Sequence, residues 1–423
     1  MRWMRAARRG LLATVVVLAG LSGPARPAGE AAEAGRGPLT FVTAGDLTGY
    51  LGPVVEEWNR DRPAEPVTLV ELPDSADEAR AQMLSELRSG SSRFDVLNID
   101  VAWTAEFAAG GLVRSLEPDR FALDSFLPPV VGTATFEGRL YAVPYVTNAG
   151  LLYYRADVLA AAGEKPPRTW AELARQARTL GPRYGLDGYA GQFLPYEGLT
   201  VNVTEAIRSA GGSILGAEGK RVEVDSEAAR AGLSVLADGV REGWIAREAL
   251  DYTEEESRAR FESGRLLFLR NWPYVHREAS SPGSKVAGRF GVVPLPGLHG
   301  PGTSVLGGSS LAVSARSRHS TTAAEFIAYL TSEPVQRRVL TLGSLPPVRA
   351  SLYEDPALIA SHPYLPVLRQ SLLTATPRPK SPQYEQVSLV VQAVGQDILA
   401  LRETPDTAVR RLSRELATVT ARP

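Results

Sequence analysis

The side chains of this 423-residue chain that could do chemistry are carboxylates, arginines and aromatics. There is no cysteine, which removes disulfides, thiolate metal sites, cysteine nucleophiles and a lipidated N-terminal cysteine. The histidines, His276, His299, His319 and His362, are scattered without metal-ligand spacing, so neither a histidine metal centre nor a histidine-based triad is expected. No metal ion and no cofactor is expected. Among the remaining groups, Asp100 and Glu197 are strong acceptors and Arg378 donates through a fixed fork. Trp272 offers a rigid apolar face. Such a set suits a ligand with many hydroxyls and flat C–H faces. Where closure expels water, each unpaired polar group costs about 1–3 kcal/mol, so the set can tell stereoisomers apart.

These residues need elements to hold them. Leu39 to Val42 reads as a strand, followed by a loop carrying Asp46. Leu51, Val54, Val55 and Trp58 recur at helical spacing, and Pro63 ends that helix. Val67 to Leu72 is a second strand, and Ala79, Met83, Leu84 and Leu87 mark a second helix closed by Gly90. Phe94 to Ile99 is a third strand, apolar enough to be buried on both faces. Alternating strands and helices predict a mostly parallel sheet with helices on both sides. Ligands of such sheets bind beyond the carboxyl ends of the strands, where Asp46, Asp100 and Trp103 stand.

A second α/β region begins near Asn148. Leu151 to Tyr154 is a strand, and Thr169-Trp170-Ala171-Glu172 is a capping box that starts a helix. Helical patterns run over Leu199 to Ala210, Glu227 to Glu242 and Thr253 to Ser263, with a buried strand at Leu266 to Leu269. Leu306 to Val313 returns to strand, and Val387 to Leu416 is helical. The length suits two domains, and no linker separates them, so the chain is expected to cross between two lobes several times and form a hinge.

Hydrophobic residues are 44% and charged residues 22%, the balance of a globular protein, and the net charge is −1. That charge gives no field favouring nucleic acid or an anionic membrane. Arg2, Arg5, Arg8 and Arg9 precede a short apolar run from Leu11 to Leu21, and Ala32-Glu33-Ala34 offers a cleavage site. Residues 1–34 therefore read as an export signal, with Arg8-Arg9 weakly resembling a twin-arginine motif. A run this short falls below the roughly 20 apolar residues needed to span a membrane. There is no G-x-x-x-x-G-K-[ST] phosphate loop.

Several stretches, in order along the chain, resemble extracellular solute-binding proteins of the maltose and trehalose group. They are Phe94-Asp95-Val96-Leu97-Asn98-Ile99-Asp100 with Trp103 to Phe107, Gly138 to Pro144 leading to Asn148, and Pro167 to Leu173. Tyr196-Glu197-Gly198-Leu199, Phe268 to Tyr274, Leu306-Gly307-Gly308 and Pro377-Arg378-Pro379 complete the set. The resemblance is to actinobacterial trehalose-binding lipoproteins in particular. It implies an α/β fold of two hinge-connected lobes, each with a mostly parallel sheet, closing on an α-linked disaccharide. The crossings are expected near 148, 309 and 353. Lobe 1 would then hold 38–147 plus 309–353, and lobe 2 would hold 148–308 plus 354–423. By similarity, Asp46, Asp100, Asn148, Glu197, Trp272, Tyr274, Gly308 and Arg378 contact the ligand. The implied partners are the permease subunits of an ABC importer, served by a monomer in the periplasm. Those lipoproteins carry a lipobox cysteine, whereas here Leu21-Ser22-Gly23 is followed by Pro24, which favours a free protein over a lipid-anchored one.

Each residue also has a plainer role open to it. Asp100 can cap the helix after it, Asp46 can serve a turn and Asn148 a hinge turn. Glu197 can be a solvated loop residue, Trp272 and Tyr274 core, and Arg378 a surface ion-pair partner. Trp58 and Trp170 are assigned to helix packing. Within the binding class, another oligosaccharide or a sugar phosphate is the alternative ligand. The enzyme alternative is an exported glycoside hydrolase using Asp100 and Glu197, which would need carboxylates about 5–9.5 Å apart. A surface adhesin would call for repeats, stalks or an anchor, and the sequence has none of these.

Overall fold

The computed structural model describes residues 35–45, 49–73 and 75–421. Residues 1–34, expected to be an export signal, and Asp46 lie outside the described residues. Among the described residues no helix is long and apolar enough to cross a membrane.

Two sheets organise the chain. The first has five strands in the order Val67–Leu72, Leu39–Ala44, Val96–Asp100, Leu306–Val313, Ala142–Ala149. The second has four, in the order Phe290–Pro294, Leu151–Arg155, Leu266–Asn271, Asp187–Ala190. Helices cover both, giving the two-lobed α/β architecture. The expectation of mostly parallel sheets fails. The Leu39–Ala44 strand pairs in parallel with both of its neighbours, but Leu306–Val313 is antiparallel to both of its own. In the second sheet only the pairing of Asp187–Ala190 with Leu266–Asn271 is parallel. The reason lies in the crossings. A parallel neighbour needs a helical crossover of a dozen or more residues, whereas strands that carry the chain from lobe to lobe have none.

Gly150 alone separates strand Ala142–Ala149 of the first sheet from strand Leu151–Arg155 of the second. The return runs from Pro294 to Leu306. Helix Leu365–Thr374 packs on strands of both sheets. Residues 148, 149 and 306–308, expected in the second lobe, instead pair within the first sheet. Their ladder continues for as long as the two strands run side by side.

Local physics explains the elements. Leu51, Val54, Val55 and Trp58 are buried on one face of helix Leu51–Asp61, and the Trp58 indole N–H donates to the Glu65 carbonyl at 2.9 Å. The Thr169 capping box starts helix Trp170–Tyr184, with Glu172 accepting from the Arg168 and Thr169 amides at 2.7 and 3.2 Å. That helix ends at Gly185, whose φ of +65° a side chain would disfavour. Strand Leu266–Asn271 is buried at every residue. Helix Glu197–Ser209 is buried nearly all round, because helices Glu227–Arg241 and Tyr384–Leu399 pack against it.

Candidate functional site

A cleft of about 510 Å³ opens beyond the carboxyl end of strand Val96–Asp100. Thr43, Asn98, Asp100, Asn148 and Gly308 line it from the first sheet, and Glu255 and Tyr274 from the second lobe. Register gathers the first group. Ser309 pairs with Asp100 on one side of its strand, while Gly307 and Gly308 pair with Asn148 and Thr147 on the other. Gly308 has φ +104°, and a Cβ there would stand 2.1 Å from the Val146 carbonyl oxygen, so only glycine lets the strands approach this closely.

Asp100 meets the second lobe through Arg378. The guanidinium donates to Asp100 through Nη2 and to Glu197 Oε1 through Nη1, the latter at 2.6 Å. Asp100 Oδ1 also accepts from the Ala102 amide at 2.8 Å, so the turn role and the ion pair coexist. Glu197, the first residue of its helix, further accepts from Ser388 Oγ at 2.6 Å and from the Tyr384 hydroxyl. Arg378 is 5% exposed, and its Nε makes no hydrogen bond within the protein. Burial works against the Arg378 cation, but Asp100, Tyr384 and Glu197 around it push its pKa up. Burial also outweighs Arg378 at Asp100, whose carboxyl is pushed above the ordinary aspartate value. Neither Glu197 nor Arg378 lines the cleft. They sit behind Asp100 as its counter-charge and support.

Trp272 adjoins the cleft without lining it. Its six-membered ring covers Gly307, where a Cβ would be 3.0 Å from Cη2. The indole N–H donates to Glu254 Oε1 at 3.3 Å, and the Arg270 guanidinium lies 4.0 Å from the ring centroid. Tyr274 is in the cleft wall, its hydroxyl donating to Glu255 Oε1 at 2.6 Å. Burial, then Glu255, raises the Tyr274 pKa.

Asp100, Asn148, Tyr274 and Gly308 thus share one cleft, Trp272 stands at its edge, and Arg378 and Glu197 stand behind it. Sequence reasoning missed Glu254, Glu255 and Asn98. The first two had a signal: Thr253 and Glu256 form a capping box, which places the intervening carboxylates in a first helical turn. Asn98 could have been found from its alternation with Asp100 on one strand. Among the described residues no cluster of His, Cys, Asp and Glu could hold a metal ion.

Residues 44–337 match the family model described as bacterial extracellular solute-binding protein. A probable ABC transporter-binding protein of Deinococcus radiodurans is 33% identical over 370 residues, 84% of this chain and 87% of that one. The maltose-bound structure of T. maritima MalE3 aligns with TM-score 0.83 and 33% identity, covering 90% of this chain and 99% of that one. The GacH receptor of Streptomyces glaucescens, 24% identical, aligns with TM-score 0.80 over 92% and 99% of the two chains, a likeness of fold. The chain belongs to the bacterial extracellular solute-binding protein family, the substrate-binding carriers of ABC transporters, and is not an enzyme.

Proposed function

We propose that this protein captures an α-linked disaccharide, maltose or trehalose in type, between its lobes and delivers it to the permease subunits of an ABC importer. The observation that carries the reading is the convergence of Asp100, Asn148 and Gly308 from one sheet with Tyr274 from the other lobe on one cleft. The 33% identity to a protein solved with maltose supports the ligand class. Small-molecule sites run to roughly 300–1,000 Å³, and this cleft falls within that range. Asp100 and Asn148 would take sugar hydroxyls, and Tyr274 and Trp272 would take the C–H faces. Arg378 would hold Asp100 in place from behind, with Glu197 balancing the charge. Asp46, expected from the sequence as a further ligand contact, lies outside the described residues.

Ligand held between two lobes favours the closed arrangement over the open one by its differential affinity. The permease reads that difference. Export as a free periplasmic monomer is part of this proposal; the arginine-rich start, the short apolar run from Leu11 to Leu21 and Ala32-Glu33-Ala34 support the export. Calorimetric titration of the mature protein with maltose, trehalose, sucrose and glucose, repeated on Trp272→Ala, tests the reading. One-to-one binding of an α-linked disaccharide, weakened in the variant, is expected. No heat with any of the sugars would sink the disaccharide assignment.

A further inference from the structure

A second buried charge pair lies behind the cleft, where the lobes join. Arg270 is 1% exposed and donates to Glu205 twice, at 2.7 Å from Nε and 2.7 Å from Nη2. Its Nη1 donates to Gln192 Oε1 at 2.9 Å, so each guanidinium nitrogen has a partner. Glu205 has further partners. Its Oε1 accepts from Ser304 Oγ at 2.9 Å and from the Val305 amide at 3.3 Å. Ser304 Oγ in turn accepts from the Gly150 amide at 2.6 Å. Gly150 is the residue at which the chain leaves the first sheet, and Ser304-Val305 is where it returns. At Gly150 an added Cβ would lie 2.6 Å from both Arg270 Nη2 and Glu205 Oε1, so the crossing backbone rests directly on the pair. On its other side the same guanidinium lies 4.0 Å from the Trp272 ring centroid, within cation–π range.

We infer that Glu205 and Arg270 are positioning residues that fix the interlobe hinge and the Trp272 ring to one another. Two chain crossings and one aromatic face share a single rigid anchor in the second lobe. Stability alone is a poor reason for the pair, since well-packed apolar residues often replace a buried ion pair without loss. A carboxylate with four donors from two chain segments, one of them bonded in turn to Gly150, is better suited to holding geometry. Rotation of the hinge at Gly150 and Ser304 then changes the support under Trp272, and a ligand pressed on that ring favours one hinge angle.

The test uses the full mature chain. Its lack of cysteine lets spin labels be placed cleanly at Ser85→Cys and Ala171→Cys, exposed helical positions flanking the first and second sheets. Glu205→Gln with Arg270→Met removes both charges together and leaves none unpaired. The expected result is a folded protein whose label-to-label distance distribution is shifted or broadened and whose maltose affinity falls tenfold or more. Arg411→Gln, which breaks an ion pair among the C-terminal helices, leaves both readouts unchanged. If the double variant does not fold, Arg270→Lys takes the same measurements. A folded variant with the wild-type distance distribution would overturn the inference. The affinity arm rests on the proposed sugar-binding function, whereas the distance arm needs no ligand. Absence of maltose binding in the wild type therefore counts against that function alone.

Discussion

Arg378 and Arg270 are both buried, at 5% and 1% exposed, yet they are built differently. Arg378 joins a carboxylate from each lobe, Asp100 and Glu197, and keeps one donor unused inside the protein. Arg270 pairs with one carboxylate of its own lobe, and all of its nitrogens have partners. A guanidinium with an unused donor beside a cleft can exchange contacts when the lobes move. A saturated one cannot without leaving a group unpaired, which costs about 1–3 kcal/mol. The difference separates the part of the site that must rearrange from the part that must stay still.

The largest effect is expected at the saturated pair. Glu205→Ala leaves the Arg270 charge buried and unpaired, and the expected loss of stability is about 3–5 kcal/mol by urea unfolding. A loss under about 1 kcal/mol would break the comparison, because Arg270 would then have water or another partner to turn to. Arg378→Ala comes next and acts on binding. Its removal sets Asp100 and Glu197 free of their counter-charge, and calorimetry should record a maltose affinity weaker by about 2 kcal/mol or more, roughly thirtyfold. Unchanged affinity would reduce Arg378 to a structural tie like Arg270. Gly150→Ala sharpens the contrast from the backbone side. Its methyl is forced against Arg270 and Glu205, and overpacking of this kind destabilises by about 1–3 kcal/mol, readable as a lower melting temperature.

The smallest effect concerns His276, a half-buried imidazole packed among aromatic rings. His276 stacks 4.7 Å from the Tyr364 ring and 5.3 Å from Phe290, with His362 nearby. Burial, then the His362 charge, lowers its pKa to about 4. The unfolded chain takes up a proton near the ordinary value of about 6.5, while the folded chain resists until about 4. Stability is therefore complete above that ordinary value and is lost as pH falls between the two. Solvent screening limits the change to about 1 kcal/mol. Melting temperatures across that window should fall in the wild type and fall less in His276→Asn. Equal slopes would place the acid sensitivity elsewhere.

Most of the secondary structure was legible in the chain. The strands at Leu39, Val67, Leu151, Leu266 and Leu306 and the Thr169 capping box follow from apolar runs and cap chemistry, which are local. The site was legible in part. Asp100 could be placed because it ends a strand, and Trp272 because polar Asn271 and Pro273 mark the end of another. Glu205 could have been suspected as a charge in the middle of a helix otherwise buried on every side, and Arg270 as a charge in an apolar strand. A buried charge demands a partner. Which partner it takes is not written locally: Glu205 and Arg270 stand 65 residues apart.

The sequence alone therefore determined the α/β composition, the strand and helix positions, the lack of thiol chemistry and the residue types of a polar, aromatic cleft. These depend on side-chain period, caps and composition, which neighbouring residues settle among themselves. Tertiary structure decided that the sheets are mixed, that the chain changes sheet at Gly150, and that Glu197 and Arg378 support Asp100 from behind the cleft. Those outcomes depend on which strand edges meet and which charges are buried together, and both are properties of distant segments brought to one place.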